Sequence, residues 1–98
     1  MYDIIILGAG PAGLSAGIYG ARSKKKVLII EKAIDGGQMA ETISIENYPG
    51  IDKISGAELG QKMAEQAKSF GAEIVSDQVE SIDINGDIKK IQGKLGTY

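Results

Sequence analysis

The residues of this chain best suited to chemistry lie near its start. Gly8-Ala9-Gly10-Pro11-Ala12-Gly13 is a G-x-G-x-x-G, the spacing that brings a diphosphate against backbone N–H groups where a strand turns into a helix. Each glycine has its own task. Gly8 makes the tight turn off the strand, Gly10 lacks the Cβ that would keep a pyrophosphate from the backbone, and Gly13 lets the helix close on the sheet. Pro11 suits the first helical turn, where a missing N–H breaks no bond. The N–H groups that remain, around Ala12 and Gly13, and the positive end of the helix dipole then face the phosphates. Glu31 stands close to the roughly twenty-residue distance at which an acid takes a ribose hydroxyl. A carboxylate there repels a 2′-phosphate, so these residues point to FAD or NAD rather than NADP.

Other chemistries are excluded by composition. The 98 residues contain no cysteine and no histidine. That removes thiolate nucleophiles, disulfides and the commonest general base and metal ligand. Carboxylates alone remain for acid–base work. Hydrophobic residues make up 43% and charged residues 24% of the chain, an ordinary globular balance. A net charge of −2 gives no electrostatic case for nucleic acid or an anionic membrane surface. No apolar run approaches the roughly 18 residues of a membrane span. Met1 and Tyr2 lead directly into apolar Ile4 to Leu7 without a cationic segment, so no signal peptide is expected and a cytoplasmic location is. Lys24, Lys25 and Lys26 read as a solvated connection.

The elements that must position the phosphate turn are legible around it. Asp3 to Leu7 reads as a strand apolar on both faces, as a central parallel strand should be. A helix follows from about Pro11 to Arg22, and Val27 to Ile30 is a second apolar strand ending at Glu31. Strand, helix and strand make a βαβ unit. Gly13, Gly17 and Gly20 cost that helix about 1 kcal/mol each relative to alanine, so close packing must hold it. Ala33 to Ile54 lacks clear periodicity, and a loop this long is uncommon unless functional. Ser55 and Glu58 have capping-box spacing. Leu59, Met63, Ala67 and Phe70 then recur at helical intervals, and Gly71 sits at a C-terminal cap position. Glu73 to Ser76 is a short third strand. From Val79 the pattern becomes antiparallel, with Ile82 and Ile84 alternating with polar residues and Asn85-Gly86 as a two-residue hairpin signal. Ile88 to Leu95 is the expected return strand. The fold class is therefore α/β, a Rossmann-like three-stranded parallel sheet with the start of a β-meander, read as one incomplete domain over residues 1–98.

The turn alone does not separate FAD from NAD. The form GAGPAG followed by EKAIDGGQMAETISIENYPG, from Glu31 to Gly50, resembles the N-terminal FAD domain of thioredoxin reductase and its flavoprotein relatives. The resemblance covers essentially the whole chain, and the GGQ and ENYPG pair is its most specific part. It implies that Gly8, Gly10, Pro11, Ala12 and Gly13 wrap the FAD pyrophosphate and that Glu31 binds the adenosine ribose. It also implies that Gly37 and Gln38 lie along the flavin side and that Asn47 contacts the flavin or ribityl region from a turn fixed by Pro49 and Gly50. Val79 is implied where the backbone meets the adenine. Gln38 and Asn47 are donor-plus-acceptor side chains suited to an isoalloxazine edge.

For the parent enzyme the resemblance implies electron flow from NAD(P)H, bound in a second domain that this chain lacks, through FAD to a disulfide. The implied partner is a thioredoxin-like disulfide protein, and the implied assembly is a homodimer. With no cysteine, the chain supplies cofactor binding only and no catalytic residue. Alternatives are the FAD half of a ferredoxin–NADP reductase-like enzyme, or a stand-alone dinucleotide or ADP module without redox activity. A sheet without further strands leaves an unpaired edge, so the isolated chain is expected to be marginal, dimeric or ligand-stabilised. Replacing Gly10 by valine is expected to abolish nucleotide binding, measured by equilibrium titration; unchanged affinity refutes the phosphate-turn reading.

Overall fold

A computed structural model describes residues 1–32 and 41–98. Apolar β-branched runs form β1 (Ile4–Leu7) and β2 (Val27–Glu31), joined by α1 (Pro11–Arg22). After the long connection come α2 (Gly56–Ser69), β3 (Glu73–Ser76), β4 (Val79–Asp83) and β5 (Lys90–Gly93). The first three strands form a parallel sheet in the order β1-β2-β3, and β4 and β5 form a separate antiparallel pair. The expected α/β architecture, with its βαβ unit and the beginning of a meander, is present.

β2 rather than β1 is the central strand. It pairs with β1 through Ile4↔Val27 to Leu7↔Ile30, and with β3 through Leu28↔Glu73 to Glu31↔Ser76. All four residues Val27 to Ile30 are buried, whereas Ile4 and Leu7 are exposed. A continuous apolar run on both strands looks the same in sequence; neighbours decide which one is covered.

The two faces of β2 feed two cores. Val27 and Ile29 pack with Leu14 and Ala21 of α1 and Leu59, Met63, Ala64 and Ala67 of α2. On the opposite face, Leu28 and Ile30 pack with Ile91 of β5, and Tyr2, Ile5, Val79 and Tyr98 close around them. The layers are thus helices, sheet and hairpin, as in two-faced parallel sheets generally.

α1 can approach β1 and β2 closely because glycines alternate with Leu14 and Ala21 on its inner face. A Cβ at Gly13 would collide with the Gly8 carbonyl oxygen, and one at Gly17 would stand 2.6 Å from Ile29 Cδ1. α2 begins as its sequence suggests, with Ser55 Oγ accepting the Glu58 N–H at 3.1 Å. This N-cap bond is worth about 1 kcal/mol. The helix ends at Ser69 with Phe70 as its C-cap, and Gly71 just beyond has a φ of +108° that an L side chain rarely adopts.

The hairpin differs from its expected form. Asp83 pairs with Lys90, so the connection runs through residues 84–89 and is no two-residue Asn-Gly turn. Asp83 Oδ1 accepts the Asn85 N–H at 2.9 Å, which turns the chain before Gly86 is reached. The return strand is Lys90–Gly93, shorter than Ile88 to Leu95, and a register shift lies between Val79 and Ser81. Ile82 in β4 and Ile84 in the connection are 51% and 69% exposed; Ile91 supplies the buried contact. Gly13→Ala is expected to destabilise the fold by about 1–3 kcal/mol through overpacking, despite alanine's higher helix propensity. Denaturant unfolding of the variant beside wild type checks this.

Candidate functional site

The phosphate turn is built from the end of β1 and the start of α1. Gly8 has φ +109°, a conformation costly for any residue with a Cβ, and its N–H is fixed by the Ile30 carbonyl at 2.8 Å. Gly10 is the extended N-cap residue of α1, and Pro11 follows at the first helical position. No side chain caps this helix and its first turn carries no acid. The positive end of the dipole is therefore left for a ligand anion.

Glu31 does more than stand at the end of β2. Its Oε2 accepts the Ala9 N–H at 2.6 Å and its Oε1 accepts the Lys32 N–H at 2.9 Å. The carboxylate therefore ties the strand end to the turn.

Two clefts flank the turn. The first, about 290 Å³, is lined by Leu7, Gly8, Ile30, Glu31, Lys32, Asp77, Gln78 and Val79. The second, about 550 Å³, lies between the start of α1, the connection and α2; Pro11, Ala12, Asn47 and Pro49 line it together with Leu59 and Met63. Gly8, Glu31 and Val79 are thus brought to one side of the turn, and Pro11, Ala12 and Asn47 to the other. Gly37 and Gln38 lie outside the described residues.

Asn47 is exposed, on a connection closed by the antiparallel bridge Ile45↔Ile54. The Ile51 N–H donates to the Tyr48 carbonyl at 3.1 Å, and Gly50 has φ +88°. With Pro49 at the second position and Gly50 at the third, this is a type II turn. It is the local device that presents Asn47 to the larger cleft. Ser15, Thr42, Ser44 and Tyr48 also line that cleft; their short or aromatic side chains gave no distinguishing spacing in the sequence.

Asp77 also escaped sequence reading. It is the buried charged residue of the described core, with 6% of its surface exposed. Burial by itself pushes its carboxyl up. Hydrogen bonds from the Tyr98 hydroxyl and the Leu95 and Gln78 amides outweigh this and hold it below the usual aspartate value. The same contact raises the Tyr98 hydroxyl. On the outer surface, Tyr2 donates to Glu73 Oε2 at 2.6 Å, which raises the Tyr2 hydroxyl as well.

Layer order, phosphate turn and paired clefts define the class as a Rossmann-like α/β nucleotide-fold domain. The family follows from comparison with known proteins. The chain belongs to the pyridine nucleotide-disulphide oxidoreductase family, whose model matches residues 2–96. It is 48% identical over 98 residues to the thioredoxin reductase of Bacillus subtilis, covering 100% of this chain and 31% of that protein. Among solved structures, thioredoxin reductase from Streptococcus pyogenes superposes with a TM-score of 0.94 at 47% identity, over 100% of this chain and 32% of that one. The Lactococcus lactis enzyme does so with 0.93 at 45%, again over 100% and 32%. The chain therefore spans about a third of the length of the relatives it matches. Among the described residues, no helix is long and apolar enough to cross a membrane.

A depressed carboxyl stabilises the fold fully above its unfolded value, about 3.9, and loses that contribution as pH falls through the folded value. The stability difference between wild type and Asp77→Asn is thus expected to be largest near neutral pH and to shrink towards about pH 3. Thermal melts across that range check it; a difference independent of pH refutes the role of the charge.

Proposed function

We propose that this chain is the FAD-binding portion of a flavin-dependent, thioredoxin-reductase-like oxidoreductase and contributes cofactor binding, with no catalytic residue of its own. The observation that carries the reading is the pair of clefts divided by the phosphate turn. A molecule with a diphosphate in the middle and a different group at each end matches that shape, and FAD is such a molecule.

The residues present fit the group. Gly8, Gly10, Pro11, Ala12 and Gly13 receive the pyrophosphate at the uncapped start of α1. Glu31 accepts from the adenosine ribose hydroxyls with the oxygens that now hold the Ala9 and Lys32 amides. Val79 borders the adenine in the smaller cleft. Asn47 offers its amide to the ribityl or ring region in the larger one, where Leu59 and Met63 provide apolar surface. Gly37 and Gln38 are assigned to the flavin side on the strength of the sequence resemblance.

When bound, the flavin supplies the two-electron chemistry that no side chain of this cysteine-free chain can supply. The chain's own residues bind it, orient it and shield one side from water. In the parent enzyme NAD(P)H at a second domain is the donor and a thioredoxin-like disulfide protein the acceptor, in a cytoplasmic homodimer. The relatives named thioredoxin reductase, matched over all of this chain, support that reading.

Titration of the purified protein with FAD is expected to give a bound-flavin absorbance spectrum with altered fluorescence, and tighter binding than NAD. Equal affinity for the two, or none for either, refutes the flavin assignment.

A further inference from the structure

Asp77 sits in the short connection from β3 to β4 and belongs to none of the groups assigned to the cofactor above. Its N–H donates to the Glu31 carbonyl at 3.0 Å, which seats it beside the end of β2. Its Oδ1 accepts the Gln78 N–H at 2.7 Å and the Leu95 N–H at 3.1 Å. Its Oδ2 accepts the same Leu95 N–H at 3.2 Å and the Tyr98 hydroxyl at 2.9 Å. The Lys94 N–H donates to the Gln78 carbonyl at 3.0 Å. A Cβ at Gly93 would overlap the Asp77 carboxylate, so the end of β5 lies directly against it.

A buried ionised carboxylate is costly unless its oxygens are occupied. Here the neighbouring Gln78 amide and two donors from far along the chain, the Leu95 amide and the Tyr98 hydroxyl, are gathered on one side chain, and such a satisfied network holds its members in a single arrangement. The held segment is Asp77-Gln78-Val79, which lines the smaller cleft together with Gly8 and Glu31. The far end of the network, Leu95 to Tyr98, does not line that cleft.

We propose that Asp77 is a positioning residue for the adenine end of the nucleotide site: by binding Gln78, Leu95 and Tyr98 together, it sets where the Gln78–Val79 wall stands relative to Glu31, and so sets base preference. Tyr98 acts through it from outside the cleft. The inference rests on the nucleotide reading above.

Competition of ADP and GDP against FAD in the intact protein tests it. Tyr98→Phe removes one bond and keeps the ring packed; it is expected to reduce the preference for ADP over GDP by roughly threefold to tenfold. Asp77→Asn is expected to reduce it further. Equal weakening of both nucleotides, as a general loss of stability would produce, overturns the proposal, and so does an unchanged ratio. If Asp77→Asn does not fold, Tyr98→Phe decides alone. A wild-type protein that binds neither ADP nor FAD refutes the nucleotide site itself, whereas wild-type binding without a base preference refutes only the positioning role.

Discussion

The contact between α1 and the sheet at Gly13 constrains most of what lies around it. With no Cβ between them, the helix start can rest on the Gly8 carbonyl, and the axis of α1 is set close along β1 and β2. That closeness aims the uncapped N-terminus at the turn and seats Leu14 and Ala21 against Val27 and Ile29. It also leaves room for α2 to pack beside α1 on the same face. A helix rich in glycine is a poor helix alone; the tertiary contact stabilises it, and the glycine turn before it is a consequence of the same geometry.

The site is divided by that turn, and each half relies on a different support. On the smaller side, the supports are polar: Glu31 ties β2 to Ala9, and Asp77 ties the β3–β4 connection to the end of the hairpin. On the larger side the supports are apolar packing from α2 and a proline-glycine turn that carries Asn47. Polar networks fix positions sharply where a small, hydrogen-bonding group is read. Apolar surface suits a broad ring.

Sequence reading recovered α1, β2, the cap of α2 and β3 because each carried a local signal with a mechanism: a glycine turn with proline at the helix start, a continuous apolar run, a Ser-x-x-Glu cap and a glycine stop. It misplaced what depended on neighbours. β1 and β2 are both isoleucine-rich, and only pairing shows that β2 has a strand on each side. Asn85-Gly86 is a strong turn signal, yet Asp83 intercepts the chain first. Asp77 carried no signal, since one aspartate after a strand is unremarkable until Leu95 and Tyr98 return to it.

What the sequence determined by itself was the turn from β1 into α1: the glycine spacing and Pro11 act through backbone conformation and short-range geometry, which local residue types dictate. The tertiary structure decided how the rest is shared around that turn. It placed Val79 with Glu31 and Asn47 with Pro11 in separate clefts, and it made Asp77 the anchor of one of them. These are contacts between residues far apart in the chain, and their energies depend on which surfaces the layers bring together. No spacing within a single element encodes them.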